Sequence, residues 1–134
     1  LTTSSPPSPD ASVTVGQVDL AWTYVLVCGD GSLYTGYTPH LEARLTAHAS
    51  GKGARYTRGR GPIRLAIAWG FTTRSEAMKV EARIKRLERP AKLALLASPE
   101  TLEHFGFHPR VIHPGDPEAP ALTGAGAMGW NPDA

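Results

Sequence analysis

The chain has 134 residues, a formal net charge of +2 and a single cysteine. That length suits one domain with a modest core and excludes two of ordinary size. One cysteine excludes an internal disulfide and a cysteine-rich zinc site, and fits a reducing, cytoplasmic setting.

Residues 1–20, rich in Ser, Thr and Pro, predict a disordered lead. No basic residue precedes an apolar stretch there, so a secretory signal or transit peptide is not expected. No apolar run approaches bilayer length, so no membrane span is expected either. The domain is predicted over 21–98. "TYVLVC" and "SLYTGYT" are β-rich runs around "GDG", a hairpin signal. A two-residue turn would put Tyr24 and Tyr34 on opposite faces. A three-residue loop of Gly29, Asp30 and Gly31 pairs 26 with 34 and puts both tyrosines on one face, and it is the register expected here.

Thr38 and Pro39 are then read as the cap and first position of a helix, "PHLEARLTAHA", which buries Leu41, Leu45 and Ala49 and ends at Ser50 and Gly51. "GKGARYTRGRGP" is a basic loop without the Gly spacing of a nucleotide-binding loop. A third strand, "IRLAIAWGF", leads to a capping box, "TRSE", that opens a helix with the stripe Ala77, Val80, Ile84 and Leu87. Pro90 is expected to stop that helix and "PAKLALLAS" to form a short third one. Residues 99–134 are expected to be a Pro/Gly-rich tail. Its His104, His108 and His113 lack helical or strand context, which favours solvated histidines over a metal site.

Charge is polarised along this plan. Of 14 Lys and Arg residues, 13 lie between Arg44 and Lys92, opposed there only by Glu76, Glu81 and Glu88. Like charges so crowded repel, and an anionic partner such as a phosphate backbone relieves them. Lys52, Arg55, Arg58 and Arg60 of the basic loop and Lys85 of the second long helix are the candidate nucleic-acid contacts.

Arg44 and His48 stand four apart and share one side of the first helix, beside the Leu41 and Leu45 stripe. An Arg fork matches paired phosphate oxygens and keeps its charge at any working pH. Glu81 flanks the apolar stripe of the second long helix. An ordinary helix pair with Lys85 is one reading of it; an oxygen ligand for a hard cation near phosphates is the other.

Together these residues resemble the GIY-YIG nuclease superfamily, most closely its small stand-alone bacterial members. The two short strand motifs read "WTY" (Trp22 to Tyr24) and "YTG" (Tyr34 to Gly36). Arg44, His48 and Glu81 follow in the family's order and spacing, and "LYTGYT", "HASGKGARYT" and "EARIKRL" add to the likeness over residues 21–97. Trp22 and Thr23 stand where the family has Gly and Ile, Thr35 stands for an Ile, and an Asn that some members carry has no counterpart in "RPAKLALL".

The resemblance implies an α/β fold of α+β type, a three-stranded antiparallel sheet flanked by about three helices. It implies metal-dependent hydrolysis of DNA phosphodiesters, with branched, damaged or single-stranded DNA in repair or recombination as the substrate class. On that basis Glu81 would hold Mg²⁺ or Mn²⁺ and Tyr24 would activate the attacking water. Tyr34 and His48 would assist, and Arg44 would offset charge on the phosphate. A free tyrosine titrates near ~10, so Tyr24 is expected to need a lowered pKa, supplied by Arg44, the metal or Lys52. Two readings of other classes stand beside this one: a non-catalytic nucleic-acid-binding module using loop 51–61 and the Arg-rich helix, and an adaptor whose tail recruits a protein partner.

Overall fold

The computed structural model describes residues 20–117 and 119. The lead expected over 1–20 lies outside them except for Leu20, as does the end of the expected tail beyond Ala119.

The fold is α+β: an antiparallel sheet of four strands, β1 (Ala21–Val27), β2 (Leu33–Thr38), β3 (Arg64–Phe71) and β4 (Arg110–Ile112), in the order β2-β1-β3-β4. Three α-helices accompany it: α1 (Leu41–Ala49), α2 (Arg74–Lys85) and α3 (Arg89–Ala97). A single turn of 3₁₀ helix lies at Arg55–Thr57 and a longer 3₁₀ stretch at Pro99–Phe105.

Each face of the sheet has its own apolar cluster. Ala21, Val25, Ile67, Trp69 and Phe71 meet Ala77, Val80 and Ile84 of α2, Leu95 of α3 and Leu102. Opposite them, Tyr24, Leu26, Cys28, Leu65, Ala68 and Ile112 meet Leu41 and Leu45 of α1. A β-bulge lets β3 serve both. Val25 pairs with Ile67 but Leu26 with Leu65, so Leu65 and Ile67 point to opposite faces despite their even spacing.

The hairpin has the three-residue-loop register: Leu26 faces Tyr34 and Tyr24 faces Gly36. Gly31 takes a positive φ of 84°, the conformation that closes such a loop. The capping box also forms, with Thr73 as N-cap of α2 accepting the Glu76 N–H at 3.2 Å.

Three local expectations are corrected. Helix α1 begins at Leu41, because Thr38 Oγ1 accepts the His40 N–H at 3.0 Å in a turn of its own and Pro39 stays outside the helix. Helix α2 ends at Lys85, short of Pro90, which instead occupies the first turn of α3, where its missing N–H is harmless. The sheet has a fourth strand, β4, inside the segment read as tail. Trp69 Nε1 donates to the Pro99 carbonyl at 3.2 Å, Leu102 and Ile112 are buried, and Ala68 to Gly70 pair with Ile112 to Arg110.

Candidate active site

The site begins with a bulky side chain placed where only small neighbours allow it. Tyr24 is fully buried in the central strand, and its cross-strand partners are Gly36 and Ala68. A Cβ on Gly36 would run into the Tyr24 phenol oxygen and ring. The glycine of the second motif is therefore the floor on which the Tyr24 ring lies. Tyr34 shares that face, its ring centroid 6.3 Å from that of Tyr24.

His48 closes the cluster from α1. Its Nε2 lies 2.7 Å from Tyr24 Oη, and its ring centroid is 5.6 Å from Tyr24 and 5.2 Å from Tyr34. The sequence placed His48 at the margin of the helix stripe. In the structure only 1% of it is exposed. The reason is the basic loop, which folds back over the imidazole: Gly53 packs so closely that a Cβ would overlap Nδ1, and Thr57 Oγ1 sits 2.9 Å from that nitrogen. Burial, together with the Arg44 charge, lowers the His48 pKa from 6.5 to about 4, so the ring is neutral at pH 7.

Arg44, one turn before His48, lies close enough to the oxygens of Tyr24 and Tyr34 to share hydrogen-bonding and charge interactions with both. Burial works against its charge, and the tyrosine oxygens outweigh it, leaving the Arg44 pKa raised. The converse expectation, a lowered pKa for Tyr24, is corrected: burial of the phenol dominates and pushes its pKa well above the usual tyrosine range. Among the described residues Arg44 is the only positively charged group that opposes this shift, and Lys52 takes no part.

Glu81 reaches the site from α2 on the other side of the sheet, and its charge bears on the Tyr24 phenol. A second contact steadies that helix. Thr23 Oγ1, beside Tyr24 in β1, donates to the Ala77 carbonyl at 2.6 Å, and Ala77 is one helical turn before Glu81. The Glu81 carboxylate is 22% exposed and meets Lys85 Nζ at 3.1 Å. Among the described residues no three His, Cys, Asp or Glu side chains converge as a metal site, the tail histidines included.

The basic candidates fall into two groups. Lys52, Arg55 and Arg58 are exposed on the loop. Arg60 is engaged, pairing with Asp30 at 2.7 Å and lying 4.3 Å from the centroid of the Tyr56 ring, and Lys85 is held by Glu81. Tyr56 itself stacks on Tyr34, centroids 5.8 Å apart at 27°. Neither Thr57 nor Tyr56 had been singled out from sequence. No periodicity links either to His48 or Tyr34, and only the return of a glycine-rich loop brings them together.

The family follows from comparison with known proteins. Residues 20–94 match the model of the GIY-YIG catalytic domain, more than half of the chain, and the chain belongs to that family. It is therefore placed in a nuclease superfamily whose substrate is DNA and whose members generally depend on a divalent metal. It is similar to the UPF0213 protein BH0048 of Halalkalibacterium halodurans, 51% identical over 76 residues, which are 57% of this chain and 81% of that one. A UPF0213 protein of Streptococcus pneumoniae is 52% identical over 77 residues, 58% of this chain and 78% of the relative. The solution NMR structure of BH0048 superposes with a TM-score of 0.41, covering 57% of this chain and 82% of that chain. No helix among the described residues is long and apolar enough to cross a membrane.

Proposed function

We propose that this protein is a metal-dependent endonuclease that hydrolyses DNA phosphodiesters and selects its substrate by structure: branched, damaged or single-stranded DNA in cytoplasmic repair or recombination. The observation that carries this reading is the 2.7 Å contact of Tyr24 Oη with a neutral, buried His48, with Arg44 on the same phenol. A fixed cation beside a phenol and an imidazole is a site for phosphate chemistry, since charge grows on the phosphate oxygens in the transition state.

In this reading Tyr24 orients the attacking water and takes its proton, and His48 backs the phenol. Tyr34 supports the same pair. Arg44 binds the scissile phosphate and offsets its developing charge. Glu81 is the residue that would hold Mg²⁺ or Mn²⁺. A single half-buried carboxylate suits a hard cation that keeps several waters and shares phosphate oxygens, and the Lys85 contact is one such an ion displaces. Bound there, the cation would supply charge neutralisation at the leaving oxygen. Exposed Lys52, Arg55 and Arg58 extend the phosphate track, and Arg60 and Lys85 join it where their present partners release them.

The test is cleavage of flap, junction and single-stranded DNA by the purified protein in Mg²⁺. At least one should be cut, and Glu81→Ala should abolish cutting. Cleavage that survives Glu81→Ala removes the metal role. Salt-sensitive binding with no cleavage under any divalent metal would instead support the non-catalytic binding module.

A further inference from the structure

Which partner owns the proton in the Tyr24–His48 contact is decided by their neighbours. Arg44 has only N–H donors, so the Tyr24 oxygen accepts from it. The single phenolic proton then needs an acceptor, and His48 Nε2 is 2.7 Å away. At the far end of the ring, Thr57 Oγ1 lies 3.0 Å from the Ala54 carbonyl, to which it donates. A hydroxyl has one proton. Having given it to Ala54, Thr57 accepts from His48 Nδ1 at 2.9 Å. Both ends of the ring thus specify the same tautomer.

We propose that Thr57 is a positioning residue: by accepting the Nδ1–H it holds His48 with a bare Nε2 that receives the Tyr24 proton. This rests on the nuclease reading above. The role is a consequence of burial. With the Tyr24 pKa raised, a standing phenolate is not available at neutral pH, so the phenol can take a proton only while giving one up.

An O–H bond of the attacking water breaks, its electron pair forms the new bond to phosphorus, and its proton goes to Tyr24 Oη as the phenolic proton moves to His48 Nε2. The P–O3′ bond breaks, its pair leaves on the 3′ oxygen, and that oxygen takes a proton from solvent. His48 then returns its extra proton to solvent through Tyr24. The groups around the imidazole are Tyr24 from β1, Tyr34 from β2, Arg44 from its own helix and Thr57 from the loop. Arg44 opposes charge on His48 until the phosphodiester arrives and offsets it.

Long-range ¹H–¹⁵N spectra of the His48 ring, recorded for wild type, Thr57→Val and Thr57→Ser, test the assignment alongside the pH–rate profile of DNA cleavage. Wild type and Thr57→Ser should show a protonated Nδ1 and an unprotonated Nε2, with similar cleavage. Thr57→Val keeps the shape and loses the acceptor, so it should give a mixed or inverted tautomer, a shifted pH profile and cleavage lower by about 10- to 100-fold. An Nε2-protonated ring in wild type overturns the proposal. So does Thr57→Val with an unaltered tautomer or profile. A correct tautomer in a protein that cuts no DNA overturns the nuclease reading and the catalytic role of Thr57 with it, while leaving the hydrogen bonds as assigned.

Discussion

The two halves of the site are built in opposite ways. Tyr24 and His48 are sealed between β1, β2, α1 and the returning loop, and each polar side-chain atom of the pair has a partner within 3 Å. Glu81 stands partly exposed on α2, held by one ion pair at 3.1 Å to a half-exposed lysine. The first half is pre-organised, and its geometry is part of the folded state. The second is soft, and the contact it makes now is of the kind worth little in water. The difference suits the division of labour proposed above: proton transfer requires fixed distances, whereas a hydrated cation arriving with its substrate needs a carboxylate free to meet it.

The sealed half should break most sharply. Tyr24→Phe deletes one oxygen and leaves the ring, so the fold should survive while cleavage falls by about 10²- to 10⁴-fold, the range for loss of a general base. Single-turnover rates on a cleavable substrate measure this directly. A variant within a few fold of wild type would mean that the water is activated elsewhere.

Gly36→Ala attacks the same oxygen from below. The new methyl must displace a buried phenol in the central strand, so unfolding free energy should drop by roughly 1–3 kcal/mol, the usual penalty for overpacking. Urea unfolding checks it, with activity expected to fall together with the shift of the Tyr24 ring. Alanine at Gly51 meets open space, so its cost of about 1 kcal/mol comes from the φ of 81° alone and activity should not fall with it.

His48 distinguishes the halves by pH. Its pKa is about 4 folded against 6.5 unfolded, so the unfolded chain binds the extra proton first. Stability linked to this group is complete above about pH 6.5 and is lost as pH falls toward 4, by roughly 2–3 kcal/mol at the acid end. His48→Gln should flatten that part of the stability–pH curve, as followed by thermal unfolding between pH 4 and 7. An unchanged curve would mean that the imidazole is not buried neutral.

The soft half should respond to its competitor. Lys85→Ala removes the ammonium that shares the Glu81 carboxylate, so the Mg²⁺ concentration for half-maximal cleavage should fall by a few fold, with little effect on the fold. A higher requirement would show that Lys85 assists the substrate phosphate more than it blocks the metal.

How much of this was legible in the sequence follows from how local each feature is. The hairpin register, the α2 stripe and the capping box are set by residues within a turn or two of one another, and a period of 2 or 3.6 exposes them. The candidate set of Tyr24, Tyr34, Arg44, His48 and Glu81 came from the family resemblance, through the order and spacing of its motifs. Burial of His48 was not, because it depends on a loop with no periodicity returning over the helix that precedes it. β4 escaped for a related reason: a strand of three residues, Arg110–Ile112, set between Pro109 and Pro114, carries no alternation to read, and Ile112 has meaning only opposite Ala68. The sign of the Tyr24 shift was missed because charge neighbours are countable in a sequence, while desolvation of a phenol between two strands is not.

The smallest effect comes from two threonines on the α2 face of the sheet, and it carries opposite signs. Thr23 and Thr35 both stand where the family pattern has an isoleucine, and both are buried. Thr23 spends its hydroxyl on the Ala77 carbonyl, whereas Thr35 Oγ1 has no hydrogen-bond partner among the described residues. Replacing Thr35 with the isosteric valine removes an unsatisfied buried hydroxyl and should stabilise the protein by about 1 kcal/mol. Thr23→Val should destabilise by a similar amount and, because that bond fixes α2 one turn from Glu81, should also raise the Mg²⁺ requirement. Denaturant midpoints and metal titrations of the two variants separate these outcomes. If both valines stabilised equally, the Thr23 bond would not be what holds the acidic half of the site in reach of the phenol.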